Sequence, residues 1–262
     1  MHRLLAGITL LAVAATPAVA CRTPVAAPPP GLVVSVAASM HDALAEIAGL
    51  YRAAAGVIIA PNTGSSSTLA RQIVEGAPVA VFLSADQAQM DIVEKAGRLA
   101  PGTRTPLVTN QLAVIAPAPS ALTLPALLEG RVSRLAMGET ASVPAGVYGR
   151  RWLEHEGAWM RVQATVIPFP TVRAVLSAVE AGRVDAGIVY ATDARDRPVH
   201  VVATLAGKDY DYLGIVQPAA VIAGSAEAEG RRFLQFLQGA EARAVFTRRG
   251  FGAPSASSGG ER

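Results

Sequence analysis

Three hydroxyl side chains in a row, Ser65-Ser66-Ser67, stand where an extended segment passes into a helical one within residues 62–76. A helix start leaves several backbone N–H groups without partners and carries roughly half a positive charge, so hydroxyls placed there either cap the helix or join its N–H groups around an anion. The same kind of junction recurs along the chain. Ser39 follows the apolar run 32–37 and precedes a helical pattern, with Asp42 three residues on, the spacing of a capping-box variant. Pro144-Ala145-Gly146 opens a helix to about Glu156, with proline where its missing N–H costs nothing and two small residues that leave backbone N–H groups uncovered. Val172 heads a helical pattern as a core valine, so only its N–H could serve a polar ligand. Tyr190 ends an apolar strand pattern, where a ring packs and its hydroxyl finds a polar partner.

Other chemistries lack their residues. Nucleophilic catalysis by Ser39 or Ser66 would need a histidine base and an orienting carboxylate. Outside the amino-terminal segment the histidines are His41, His155 and His200; none lies in a triad motif, and there is no Gly-x-Ser-x-Gly elbow. No cluster of His, Cys or carboxylate has the spacing of cation ligands. The expectation is a binding protein, not an enzyme.

The elements that must carry these junctions read as βα units. Strands at 32–37, 57–60 and 79–83 alternate with helices at 40–55, 67–75 and 87–96, the last capped by Ser84-Ala85-Asp86, and such alternation predicts a parallel sheet with helices on its faces. Ligands on such sheets collect at the carboxyl ends of the strands, where Ser39 and Ser66 fall. The long apolar run 107–116 leaves this first lobe. A second series follows: helix 122–128, strand 134–137, helix 144–156, strand 164–167, helix 172–181 and strand 185–190. A second extended run, 212–223, returns to the first lobe, and helices 226–238 and 240–249 complete it. Two extended crossings between two lobes define a hinge and a cleft.

The chain has 262 residues, 51% hydrophobic and 16% charged, enough to bury a large core and too apolar for disorder. Its net charge of +3 comes from scattered arginines with few lysines and 5% aromatics, so neither a basic stripe nor a stacking platform for nucleic acid is present. The pairs Arg231-Arg232 and Arg248-Arg249 read as solvated helix faces. Residues 1–20 combine a basic start, an apolar run and the small-residue end Ala18-Val19-Ala20, an export signal. The single cysteine, Cys21, follows immediately. It is either a free thiol or the lipidated first residue of a lipoprotein, and the Pro/Ala-rich tether 21–31 favours the second.

In this order and at these spacings, Ala37-Ala38-Ser39, Ser65 to Ile73, Phe82-Leu83-Ser84-Ala85-Asp86, Val143 to Tyr148, Val172-Arg173 and Gly187 to Tyr190 resemble the molybdate-binding solute receptors of bacterial ABC importers. The resemblance spans residues 32–252. It implies the α/β, two-lobed type II periplasmic binding protein fold, each lobe a mainly parallel sheet flanked by helices. Lobe one would comprise 32–112 plus 213–254, lobe two 113–212, and 255–262 a disordered tail.

The family's oxyanion site implies a role for five residues: Ser39 and Ser66 as hydroxyl and N–H donors from lobe one, Ala145 and Val172 as backbone donors from lobe two, and Tyr190 closing the shell with its hydroxyl. The ligand would be molybdate or tungstate, with molybdenum held only as the oxyanion and no cofactor. The partner would be the importer's permease, and the receptor a monomer in the periplasm, touching the membrane only through a lipid on Cys21. None of the five residues is acidic, which disfavours phosphate, since that anion keeps a proton at neutral pH and needs an acceptor. Sulfate remains the alternative, because cavity size decides between it and molybdate. Two departures from the family pattern stand out: Val79-Ala80 where an aspartate is usual, and Thr171 in place of an acidic or amide residue before Val172-Arg173.

Overall fold

Apolar, β-branched stretches alternate with amphipathic helices over the first part of the chain, and the computed structural model, which describes residues 31–254, shows what they build. The export signal, Cys21, residues 22–30 of the tether and the tail 255–262 lie outside the described residues. In order come β1 (Leu32–Ala37), α1 (His41–Ala55), β2 (Ile59–Gly64), α2 (Ser66–Val74), β3 (Val81–Leu83), α3 (Gln87–Lys95) and β4 (Thr105–Thr109). A second run follows: β5 (Leu112–Pro117), α4 (Leu124–Leu128), β6 (Leu135–Gly138), α5 (Pro144–His155), α6 (Trp159–Val162), β7 (Val166–Phe169), α7 (Val172–Glu180), β8 (Ala186–Tyr190), α8 (Ala191–Ala194) and β9 (Val199–Leu205). The chain then closes with β10 (Val216–Val221), α9 (Glu227–Leu237) and α10 (Ala240–Arg248).

These strands form two five-stranded sheets, one in each lobe, with orders β2-β1-β3-β10-β4 and β7-β6-β8-β5-β9. In each sheet four strands run one way and one is reversed, β10 in the first and β5 in the second. Both reversed strands are entered by a crossing from the other sheet and not through a helix, so the right-handed crossover that keeps βα strands parallel does not act on them.

The two crossings differ from the two long extended runs expected. The run 107–116 is interrupted at Asn110-Gln111, which separates β4 in one sheet from β5 in the other. In the run 212–223 the first residues belong to a 3-10 turn, Lys208–Leu213, ended by Gly214 at φ 56°, and only Val216–Val221 is strand. Left-handed backbone there suits glycine and stops the extension. The crossings lie side by side, since Asn110 N–H donates to the Ile215 carbonyl at 3.1 Å. Asn110 Nδ2 also donates to Thr192 Oγ1 at 2.9 Å, so the hinge is tied to the end of lobe two's central strands.

Each helix that bears on the site is fixed by its own apolar face. In α2, Leu69, Ala70 and Ile73 are buried in one cluster with Phe82, Met90 and Val93. In α5, Trp152 and Leu153 are buried, and in α7 so are Val175, Leu176 and Val179. Each such Leu, Ile or Val contributes roughly 1.5–3 kcal/mol of burial, which holds the helix starts in place.

Candidate functional site

Ser39 sits in a 3-10 turn, Ala38–Met40, directly after β1, and it is 4% exposed. Its Oγ has no hydrogen-bond partner within the described chain. The expected capping box does not form. The N-cap of α1 is Met40 with no side-chain bond, and the Asp42 carboxylate turns away to accept from Arg173 at 2.8 Å. A strong opposing cation outcompetes the local cap.

The three serines at the start of α2 divide their labour. Ser65 is the N-cap: its Oγ accepts from Thr68 N–H at 3.3 Å, donates to Thr68 Oγ1 at 2.9 Å and lies 3.0 Å from Ser67 Oγ. Ser66, the first helical residue, takes no part in that turn. Its buried Oγ accepts from Ala85 N–H at 2.8 Å, which leaves the hydroxyl proton free to donate elsewhere.

From the other lobe, α5 starts with Pro144 at its first position, and the Ala145 N–H bonds no other backbone group among the described residues. Gly146 does not offer a second bare N–H as its sequence predicted, because that group donates to the Val143 carbonyl at 2.8 Å. The glycine serves packing. A Cβ there would stand 2.1 Å from the Gly138 carbonyl oxygen, so β6 and the first turn of α5 meet backbone to backbone. Thr171 caps α7 by accepting from Ala174 N–H at 3.1 Å, so that departure from the family pattern retains a cap. Val172 then begins the helix with its N–H unbonded to other backbone among the described residues.

Tyr190, 1% exposed at the end of β8, donates from its hydroxyl to the Ala85 carbonyl at 3.4 Å. Burial pushes its phenol well above the ordinary value, with the neighbouring Tyr148, Asp86 and Asp193 adding to it, so the group stays a donor at any physiological pH. Ala85 therefore touches both lobes through one peptide, its N–H on Ser66 and its carbonyl on Tyr190. The Ser84-Ala85-Asp86 motif read only as a helix cap and gave no sign of this bridge. Asp86 does cap α3, accepting from Gln89 N–H at 3.0 Å, and burial pushes its carboxyl up to about 6.

Ser39, Ser66, Ala145, Val172 and Tyr190 all line one tight cavity of about 10 Å³, together with Gly64, Ser65 and Ala85. No lysine, arginine or carboxylate lines it. It is smaller than the roughly 300–1,000 Å³ of pockets for drug-sized ligands. The starts of α2, α5 and α7 converge there, so the cavity offers hydroxyl protons, backbone N–H groups and three positive helix ends, the chemistry of a small anion site. Val79 and Ala80 lie elsewhere: both are buried, and the Ala80 peptide bonds Val33 and Ile222 across the sheet.

The profile of the bacterial extracellular solute-binding protein family matches residues 32–252, nearly the whole described chain. The chain belongs to this family. The molybdate-binding protein ModA of Escherichia coli is 36% identical over 230 residues, covering 84% of this chain and 88% of that protein. ModA of Haemophilus influenzae is 34% identical over 228 residues, covering 84% and 89%. Among solved structures, the periplasmic molybdate-binding protein of Azotobacter vinelandii matches with a TM-score of 0.76 at 24% identity, covering 86% of this chain and 100% of that one, and shares the fold.

His41 Nδ1 lies 2.9 Å from Thr63 Oγ1, and no hydrogen bond joins a histidine to Ser39 or Ser66 among the described residues. The paired arginines are also more than solvated faces: Arg249 donates to Glu46 at 3.0 Å and Arg248 pairs with the same carboxylate, fastening α10 to α1. Arg231 pairs with Glu227 and Arg232 with Glu229 along the exposed side of α9.

Proposed function

We propose that this chain is an exported receptor that captures molybdate, and tungstate with it, in the interlobe cavity and delivers the anion to the permease of an ABC importer. One observation carries the reading: the cavity brings hydroxyls and helix-start N–H groups together, with no charged side chain among the described residues that line it. Burying an unpaired ion costs on the order of tens of kcal/mol, so every oxygen of the anion must meet a donor. Hydrogen bonds to a charged group contribute roughly 1.5–3 kcal/mol each, and each helix start about 0.3–2 kcal/mol. Ser39 Oγ, Ser66 Oγ, the Tyr190 hydroxyl and the N–H groups of Ala145 and Val172 are the proposed donors, the one Tyr190 proton turning to the anion from the Ala85 carbonyl. The related molybdate-binding proteins of E. coli and H. influenzae support the choice of molybdate over other dianions.

In this reading lobe one comprises residues 32–111 and 213–254, and lobe two 112–212, a boundary one residue before the one expected because Leu112 already pairs with Tyr190 and Leu205. The anion meets the serines of lobe one, and lobe two closes over it. Only tighter binding to the closed state drives that shift, and Ala145, Val172 and Tyr190 supply the difference because they come from lobe two. The permease then reads the closed form. The receptor works as a monomer outside the cytoplasm, held to the membrane only if Cys21 is acylated, and it performs no chemistry on its cargo.

Ser39→Ala gives a signature that separates a binding hydroxyl from a structural one. The wild-type Oγ is buried without a partner among the described residues. Removing it spares the ligand-free protein a desolvated polar group, so its thermal unfolding midpoint holds or rises. Molybdate affinity, measured by calorimetric titration, falls by roughly 10–100-fold, the worth of a hydrogen bond to an ion. Unchanged affinity in a folded variant would remove Ser39 from the site.

A further inference from the structure

Directly behind the cavity three charged residues form a chain across the two lobes. Arg173 Nη2 donates to Asp42 Oδ2 at 2.8 Å, and Arg173 Nε lies 3.0 Å from Asp193 Oδ1. Asp42 belongs to the first turn of α1 in lobe one, whereas Arg173 and Asp193 belong to α7 and α8 in lobe two. Each stands one to three residues after a proposed ligand residue: Asp42 after Ser39, Arg173 after Val172, Asp193 after Tyr190. The same three backbone segments that are proposed to present donors to the anion are thus joined again by charge.

The environment of each group fits a link that acts between lobes. Asp193 is 1% exposed, and burial pushes its carboxyl up to about 7 against the pull of Arg173. Its carboxylate lies beside the guanidinium from within lobe two, as a charge contact without a hydrogen bond. Asp42 is part-exposed. Burial raises its carboxyl somewhat, but the hydrogen bond and charge of Arg173 outweigh this and hold it below the ordinary range. A wider cavity, lined in part by Asp42, Glu46, Arg173, Asp193 and Arg195, opens the pair to solvent, so it can part when the lobes part. None of these carboxylates or guanidinium groups lines the anion cavity itself.

We infer that Arg173 is a positioning residue, which through Asp42 latches the two lobes once closed and so sets how long the anion stays bound. The inference rests on the proposed oxyanion site and deepens it. The anion supplies the closure energy at the helix starts, and the Asp42–Arg173 pair, which forms only when α1 and α7 come together, opposes reopening. Release is slowed while capture, which occurs on the open form, is left alone.

Stopped-flow fluorescence on the full chain, with molybdate as the probe, tests this in Asp42→Asn, Asp42→Glu and a control, Glu129→Gln, whose partner Arg131 lies in the same lobe. Asp42→Asn is expected to raise the dissociation rate roughly 3–10-fold with the association rate unchanged, a size set by a charged but part-exposed hydrogen bond. Asp42→Glu should recover part of the loss, and Glu129→Gln should match wild type. The unfolding midpoint of ligand-free Asp42→Asn should also stay at the wild-type value, which separates a latch from a structural prop. Dissociation from Asp42→Asn at the wild-type rate would overturn the latch while leaving the oxyanion site standing. No molybdate binding to wild type in a calorimetric titration would instead overturn the oxyanion reading itself.

Discussion

Val172→Pro will weaken molybdate binding by roughly 10–100-fold while leaving the protein folded, because it deletes the N–H proposed to meet the anion and only part of a buried side chain. Proline is well tolerated at the first position of a helix, where its fixed φ suits the helix and its missing N–H would have had no helical partner. The preceding residue must be extended, and Thr171 is, with φ −147° and ψ 157°. The Thr171 cap on Ala174 does not involve the lost group. Val172→Ile provides the comparison, since it alters the side chain and keeps the N–H; its affinity should stay near wild type. Equal binding by wild type and Val172→Pro would mean that the start of α7 does not donate to the ligand.

The largest loss of all is expected from Gly146→Ala. The new Cβ would stand 2.1 Å from the Gly138 carbonyl oxygen and 2.9 Å from that of Glu139, and backbone atoms cannot swing aside as a side chain can. The start of α5 must lift off β6, at a cost of roughly 1–3 kcal/mol or more in overpacking. Ala145 moves with it, so both the unfolding midpoint and molybdate affinity should drop together. Gly138→Ala should be milder, because its first clash, at 2.7 Å, is with a Val143 side-chain atom. Gly49→Ala, on an open face of α1 with nothing within 4 Å, should leave binding intact and stabilise slightly, since alanine loses less backbone freedom than glycine. A Gly146→Ala protein as stable as wild type would contradict the backbone-to-backbone contact that sets the position of Ala145.

How far the sequence carried the fold depended on burial. β1, β3, β6 and β8 are buried on both faces, so their runs of Val, Ile, Leu and Ala are conspicuous, and all were legible within a residue or two. β9 was missed. It is exposed over much of its length, and its His200, Val201, Val202, Ala203 and Thr204 neither alternate cleanly nor form a closed apolar run. β2 was read too short because Pro61, Asn62 and Thr63 look like turn residues; they pair as an edge strand beside β1, where one side of the ladder needs no partner.

Site residues followed a parallel rule. Helix starts carry local signals, so Ser66, Ala145 and Val172 stood out as positions, but the family resemblance and not the local sequence gave them their proposed roles as donors. Long-range partners carry none. Nothing in the local sequence says that Asp42 will face Arg173, 131 residues away, rather than cap its own helix, or that the Ala85 peptide will bridge Ser66 and Tyr190. Gly146 was legible as important, but for ligand access and not for the close approach of β6 that its missing side chain allows.

The central claim is that a charge-free shell of donors selects a fully deprotonated dianion of molybdate size. Isothermal titration of the purified protein with molybdate, tungstate, sulfate and phosphate at neutral pH measures it directly. Tight one-to-one binding of molybdate and tungstate, with sulfate far weaker and phosphate without response, is the expected result. Tight sulfate or phosphate binding with no response to molybdate would contradict it.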